Sequence, residues 1–258
     1  FYFGAGDGRD SISGFAYGTG DNADTLALYS GSIQSITNVD GTMVINETDG
    51  SVLHLNGSSS TTLTAASNAI AYTTDGTNKS EALIGQSNTQ NTFVYDSSVT
   101  LYYGGKKGDT LQIQDSDNDK IWLDGSQGQS CNGIVVLDGS RASGDIQLAG
   151  NTSSNTIQGG SGTSSLWGGS GSASDTLIGG SGEHSFYFGK GEGNDVIQST
   201  GSSDKVMLYN VSLSDVKSAA VTNGVMNISL TDGSTLRIKD YNSSSVHSFT
   251  LADGTNWS

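Results

Sequence analysis

Aspartate and glycine at regular spacing are the residues of this chain best suited to chemistry. Of 26 acidic residues, 22 are Asp and four are Glu, set among 37 glycines. Asp forms turns and is a hard-oxygen ligand, so the bias points to turns and to calcium, which takes six to eight oxygens, some of them anionic. Asn155, Asp175 and Asp195 recur every 20 residues, each two positions before an apolar residue. Ser164 and His184 hold the same relation on the alternate step, so one edge keeps its acids and the other has lost them. Asp109 continues the first edge, and Asp119 and Asp145 lie on the second. The other chemical groups are sparse. His54, His184 and His247 form no triad spacing, and no glycine-rich loop opens a helix that could hold a nucleotide. Cys131 is the single cysteine, excludes an internal disulfide and reads as inert. Asp115-Ser116-Asp117-Asn118-Asp119 opens like an EF-hand loop, but Lys120 and Ser126 stand where Gly and Glu are required, so it reads as an acidic turn. Trp122 and Trp167 read as packing or rim residues ahead of sugar platforms.

The elements that position these groups are short strands. Apolar centres at Leu83, Phe93, Leu101, Leu111, Ile121, Val135, Ile146, Ile157, Leu166, Leu177, Phe186 and Ile197 mostly step by 8–11 residues, and alternate steps are close to 20. No 3.6-residue period is present over 81–198, which almost excludes helices there. Two short strands per 20-residue turn describe a parallel β-solenoid whose coils stack about 4.8 Å apart. The step from Ile121 to Val135 breaks the rhythm and predicts a small loop around Cys131.

The chain also repeats itself. Residues 1–12, FYFGAGDGRDSI, return at 186–197 as FYFGKGEGNDVI, and Asp49-Gly50-Ser51 returns as Asp232-Gly233-Ser234. The organisation read from this is a strand-rich module at 1–80, a solenoid at 81–185 and a second copy of the module at 186–258. In each copy an Asp-Gly pair between alternating segments predicts a β-hairpin, and 211–216 predicts one short helical turn. Such modules cap solenoid ends.

Gly159-Gly160-Ser161-Gly162, Gly168-Gly169-Ser170-Gly171 and Gly179-Gly180-Ser181-Gly182 resemble the glycine-rich nonapeptide of RTX (repeats-in-toxin) proteins. The stretches 3–12 and 188–197 are similar to the segment that ends such arrays. The resemblance implies a β-roll, calcium held in the turns by Gly carbonyls and an Asp carboxylate, and type I export to the bacterial cell surface. Carried onto this chain, it implies a calcium site at Asp175 and Asp195 with Gly191 and Gly193, and a second at Asp7 and Asp10. With Asn155, Ser164 and His184 replacing acids, calcium occupancy is expected to be partial, and uncharged side chains are expected to ladder between turns.

The net charge of −15 and the absence of a basic patch exclude a nucleic-acid partner. No apolar run approaches the roughly 20 residues of a membrane span. The resulting expectation is a non-enzymatic structural segment of a secreted surface protein: an adhesin stalk, an S-layer part or a filament unit able to self-associate end to end. Alternatives are the calcium-dependent folding and secretion domain of an RTX toxin or hydrolase, and a glycan-binding or glycan-processing solenoid.

Overall fold

Short alternating segments bounded by glycine bury their apolar side by stacking on the equivalent segment one coil away. The computed structural model describes residues 1–4, 6–16, 26–28, 33–39, 42–47, 49–58, 62–63, 69–73, 79–84, 90–97, 99–103, 108–114, 119–127, 129–198, 200–242, 244–246 and 248–257. The turn 75–78, the Gly104-Gly105 turn, the acidic turn 115–118 and His247 lie outside them. The described residues form strands and turns with one 3-10 turn at Leu213–Asp215, so the chain is all-β. It divides into two compact units, 1–111 with 128–134 and 112–127 with 135–258.

The second unit is a parallel solenoid. Ile134–Arg141, Thr156–Gln158, Thr176–Ile178, Asn194–Gln198 and Thr235–Ile238 stack in parallel along one sheet. Asp119–Trp122, Ile146–Ala149, Ser164–Trp167, His184–Phe188, Lys205–Leu208 and Ser248–Leu251 stack along the other. Each strand alternates inside and outside, and the inside residues form columns. Leu137, Ile157, Leu177, Ile197 and Ile238 are in register on one sheet. Ile121, Leu148, Leu166, Phe186, Val206 and Phe249 are in register on the other. All eleven are buried, and each such side chain contributes about 2 kcal/mol.

Two column residues differ from the sequence reading. Leu137, not Val135, is in register with Ile157, and Leu148, not Ile146, is in register with Leu166. The cause is turn length. Asp138 pairs Gln158 and Leu148 pairs Leu166, so the earlier turn carries two residues more than the later one. Ile146 therefore sits opposite Ser164, still buried.

The duplicated module folds the same way twice. In the first unit Arg9–Ala16 pairs in parallel with Val52–Ser58, which continues antiparallel through Thr42–Glu47 to Ile33–Val39. In the second unit Asn194–Gln198, Thr235–Ile238, Val225–Leu230 and Val216–Thr222 repeat that order. The register is shared: Asp10 opposes Leu53 as Asp195 opposes Leu236, and Ile45 opposes Leu53 as Ile228 opposes Leu236. The expected hairpins are present, and Gly50 and Gly233 take φ of 91° and 96°, a left-handed conformation that glycine adopts without a Cβ penalty.

A buried acid marks a difference between the copies. Glu47 and Leu230 make equivalent turn bonds, their N–H groups donating to Ser51 O and Ser234 O at 2.9 Å. Both side chains are buried, but the Glu47 Oε2 atom has no partner. Burial, with the charges of Asp49 and Asp7, pushes the Glu47 carboxyl up to about 7. Its stabilising contribution is full below the unfolded value near 4.5 and is lost as pH rises through about 7. Glu47→Leu is therefore expected to raise the first unit's stability by about 1–3 kcal/mol near neutral pH, and to have little effect near pH 4. Thermal melts across that range test this, and an equal gain at both ends would show that charge is not the cause.

Candidate functional site

The acid positions spaced by 20 become rungs between coils. The Asn155 N–H donates to Asp175 Oδ1 at 2.7 Å, and the Asp175 N–H donates to Asp195 Oδ1 at 2.9 Å. Asn155 in turn accepts from the Asn151 N–H at 2.8 Å. The first unit contains the same device, where Asn91 N and Nδ2 donate to Asp109 Oδ1 at 2.6 and 3.2 Å. Each of these side chains is buried. The spacing produces this because one coil is about as long as the step between rungs, 20 residues in the second unit and 18 at Asn91–Asp109, which brings each rung side chain beside the backbone N–H of the coil before it.

The second edge carries the matching ladder. Ser164 Oγ accepts from Gly160 N–H at 3.3 Å, and His184 Nε2 accepts from Gly180 N–H at 2.7 Å. The edge has not lost its acids throughout, as the sequence suggested. Asp204 is the next rung, accepting from His184 N–H at 2.8 Å and from Gly201 N–H at 2.7 Å. It precedes Val206 by two residues, the signal that identified the other rungs. His184 thus serves as a turn acceptor, His54 is half-buried in the strand Val52–Ser58, and burial pushes the Cys131 thiol up to about 12, leaving it inert.

The expected calcium residues fall into two groups. Asp175 and Asp195 lie on adjacent coils of one unit, and both carboxyls are raised, to about 6 and about 8. Burial is the main cause. For Asp195, the charges of Asp175 and Glu192 add to it, against the lowering bond from the Asp175 N–H. Asp195 Oδ2 is buried without a partner. Gly191 N–H donates to Asp232 Oδ2 at 2.7 Å and to Ser234 Oγ at 3.1 Å, while Gly193 O accepts from Thr235 N–H at 2.8 Å. The first copy reproduces this grip, with Gly6 N–H on Asp49 Oδ2 at 2.6 Å and on Ser51 Oγ at 3.1 Å. Asp7 Oδ2 accepts from Gly4 N–H at 2.9 Å, and Asp10 is exposed on the strand Arg9–Ala16.

Of the expected calcium residues, Asp195 offers a buried oxygen without a partner, Oδ2, which becomes a hard anionic ligand once its raised carboxyl gives up its proton. Asp175 and Asp195 each commit Oδ1 to a backbone N–H, and the described residues include no cluster of three or more His, Cys, Asp or Glu arranged for a metal. Any further ligands there must be backbone carbonyls, which calcium accepts.

Sequence reasoning missed Glu192, one of only four glutamates. It is buried, accepts from Gly189 N–H at 2.6 Å through Oε2, and through Oε1 accepts from Trp167 Nε1–H and Tyr209 O–H. Burial raises its carboxyl, against the lowering effect of these three bonds. The two rings it holds stand on the outer sheet face of the second unit. With Trp122, Tyr187, Gln147 and Ser165 they line a groove of about 400 Å³. No spacing rule pointed to this, because the three groups come from different coils.

No family model and no curated protein sequence matches the chain. Among solved structures, the extracellular lipase LipA from Serratia marcescens aligns at 13% identity with a TM-score of 0.23. The alignment covers 100% of this chain and 38% of that one, so the chain spans well under half of that protein's length. A likeness so slight carries no argument about fold or function. No described helix is long and apolar enough to cross a membrane.

Proposed function

We propose that this chain is a non-enzymatic structural segment of a secreted bacterial surface protein of the RTX kind, built to extend and stack. The observation that carries this reading is the use made of its polar groups. Asp175, Asp195 and Asp204 each accept a backbone N–H from the coil before, and Asn155, Ser164 and His184 each accept one from their own turn. An adhesin stalk, an S-layer part or a filament unit needs such a repeat, whereas an enzyme needs convergent groups left free to react.

Calcium is part of the proposal. Asp195, with Asp175 beside it, would hold the ion, which would neutralise the buried acid column. The test is calcium titration followed by calorimetry and circular dichroism, on the native chain and on the Asp175→Ala/Asp195→Ala variant. Calcium is expected to raise the melting temperature of the native chain only. A chain unmoved by calcium would leave a solenoid held by its rungs and columns alone. A second reading, a calcium-dependent folding and secretion domain of an RTX toxin or hydrolase, draws on the same unspent Asp195 oxygen. It requires the chain to be unfolded in chelator.

Self-association of end coils is supported by the two copies. The string 1–12 returns at 186–197, where Phe186 stacks between Leu166 and Val206 of the neighbouring coils, so a surface made for stacking occurs twice in the chain. Light scattering at rising concentration is expected to show growing assemblies, and a constant monomer mass would remove this part of the proposal.

A further inference from the structure

We propose that the outer groove of the second unit is a binding site for a small organic cation bearing a trimethylammonium group. The walls are Trp122, Trp167 and Tyr209. Trp122 and Trp167 have ring centroids 5.9 Å apart with planes at 74°, and Trp167 and Tyr209 are 6.1 Å apart at 86°. Trp122 and Trp167 stand in register with Ala149 between them, so both rings lean across a small residue to meet. Rings at near right angles form the corner of a box. A flat pyranose is recognised by a platform on which it can lie, whereas a compact tetrahedral group fills a corner and touches each wall. Cations are drawn to ring faces within about 6 Å of the centroid, and quaternary ammonium groups are the usual occupants of aromatic cages.

Charge decides between a cation and a neutral apolar group of the same shape. Among the described residues no Lys or Arg lines the groove, and Tyr187, Gln147 and Ser165 are part of its lining. The acid nearest the rings is the buried Glu192. Its Oε1 atom takes the indole N–H and the phenol O–H, which satisfies the polar edges of both lining rings within the protein. Accepting those bonds also pushes electron density into both rings. The same bonds hold the walls before a ligand arrives, so little side-chain order is left to be lost on binding. The whole chain carries a net charge of −15, which favours cations and disfavours anions.

The test is tryptophan fluorescence of the whole chain titrated with choline. The chain has three tryptophans, and Trp257, packed on Phe249 away from the groove lining, serves as the internal reference. Saturable quenching by choline is expected, with 3,3-dimethylbutan-1-ol, the uncharged isostere, binding about tenfold more weakly. Trp122→Ala is the preferred variant, because it removes one wall without touching the Glu192 bonds. It is expected to weaken choline about tenfold while circular dichroism stays unchanged. Tyr209→Phe keeps the ring and loses one bond to Glu192, and is expected to weaken choline less than Trp122→Ala does. Phosphatidylcholine vesicles form a second arm: co-sedimentation competed by choline identifies a lipid headgroup as the source, and choline saturation without sedimentation identifies a free solute. Equal binding of the neutral isostere, saturation by glucose or cellobiose in place of choline, or no saturable quenching at all would each overturn the proposal.

Discussion

Gly180→Ala is expected to destabilise the second unit by about 3 kcal/mol or more. The cause is steric rather than conformational, since Gly180 does not sit in the left-handed region. A β-carbon built there runs into the Gly160 carbonyl oxygen of the neighbouring coil, and lies 2.8 Å from Gly160 C and 2.9 Å from Gly159 O. These are backbone atoms of a stacked turn, and the next turn in the stack meets the same limit, because a β-carbon on Gly160 would strike Ala142 O. The glycine-rich turns therefore set how closely coils approach. Gly224→Ala is the control. Gly224 has a φ of 74° and open space around it, so its replacement costs only backbone strain, about 1 kcal/mol. Urea denaturation of both variants measures the difference. Equal losses would show that turn stacking does not limit the coil spacing.

In chelator, the native chain is expected to be more stable near pH 5 than near pH 8, by on the order of 3 kcal/mol. Both rung carboxyls are raised, Asp175 to about 6 and Asp195 to about 8, chiefly by burial. A raised carboxyl stabilises fully below its unfolded value near 3.8 and loses that contribution as pH climbs through its folded value. The window thus opens near pH 4 and closes near pH 8. Acids with lowered values, such as Asp215 and Asp232, act in the opposite sense and only at lower pH. Asp195→Asn keeps the acceptor for the Asp175 N–H and removes the charge, as the natural rung Asn155 already does. It is expected to flatten the pH profile in chelator and to raise the melting temperature near pH 8. In calcium the proposed site is expected to reverse the order, because the native carboxylate would gain an ion that the amide cannot hold. Calorimetry at both pH values, with and without calcium, separates the cases. A native profile that falls toward pH 5 would show that the rung carboxyls are not the controlling groups.

Much of the architecture was legible in the sequence, for a definite reason. In a solenoid the coil length equals the sequence period, so residues 20 apart are neighbours, and the rungs Asn155, Asp175 and Asp195 and the column Ile157, Leu177 and Ile197 followed from spacing alone. The module duplication was legible too, because matching strings take matching registers. The limit was met where the period changed. Two additional residues in the turn after Asp138 moved the column from Ile146 to Leu148, and Asp204 escaped notice although it kept the rung relation to Val206.

What the chain determined by itself was an all-β solenoid and the rows along it, since local alternation and a fixed period suffice to place a residue on an inner row, an outer row or a rung. Tertiary structure alone decided the burial of Glu47 where the second copy has Leu230, and the convergence of Trp167, Tyr209 and Glu192. Those depend on how far a side chain leans across neighbouring coils and on which carboxylate the turn geometry seals from water, and neither is a function of spacing.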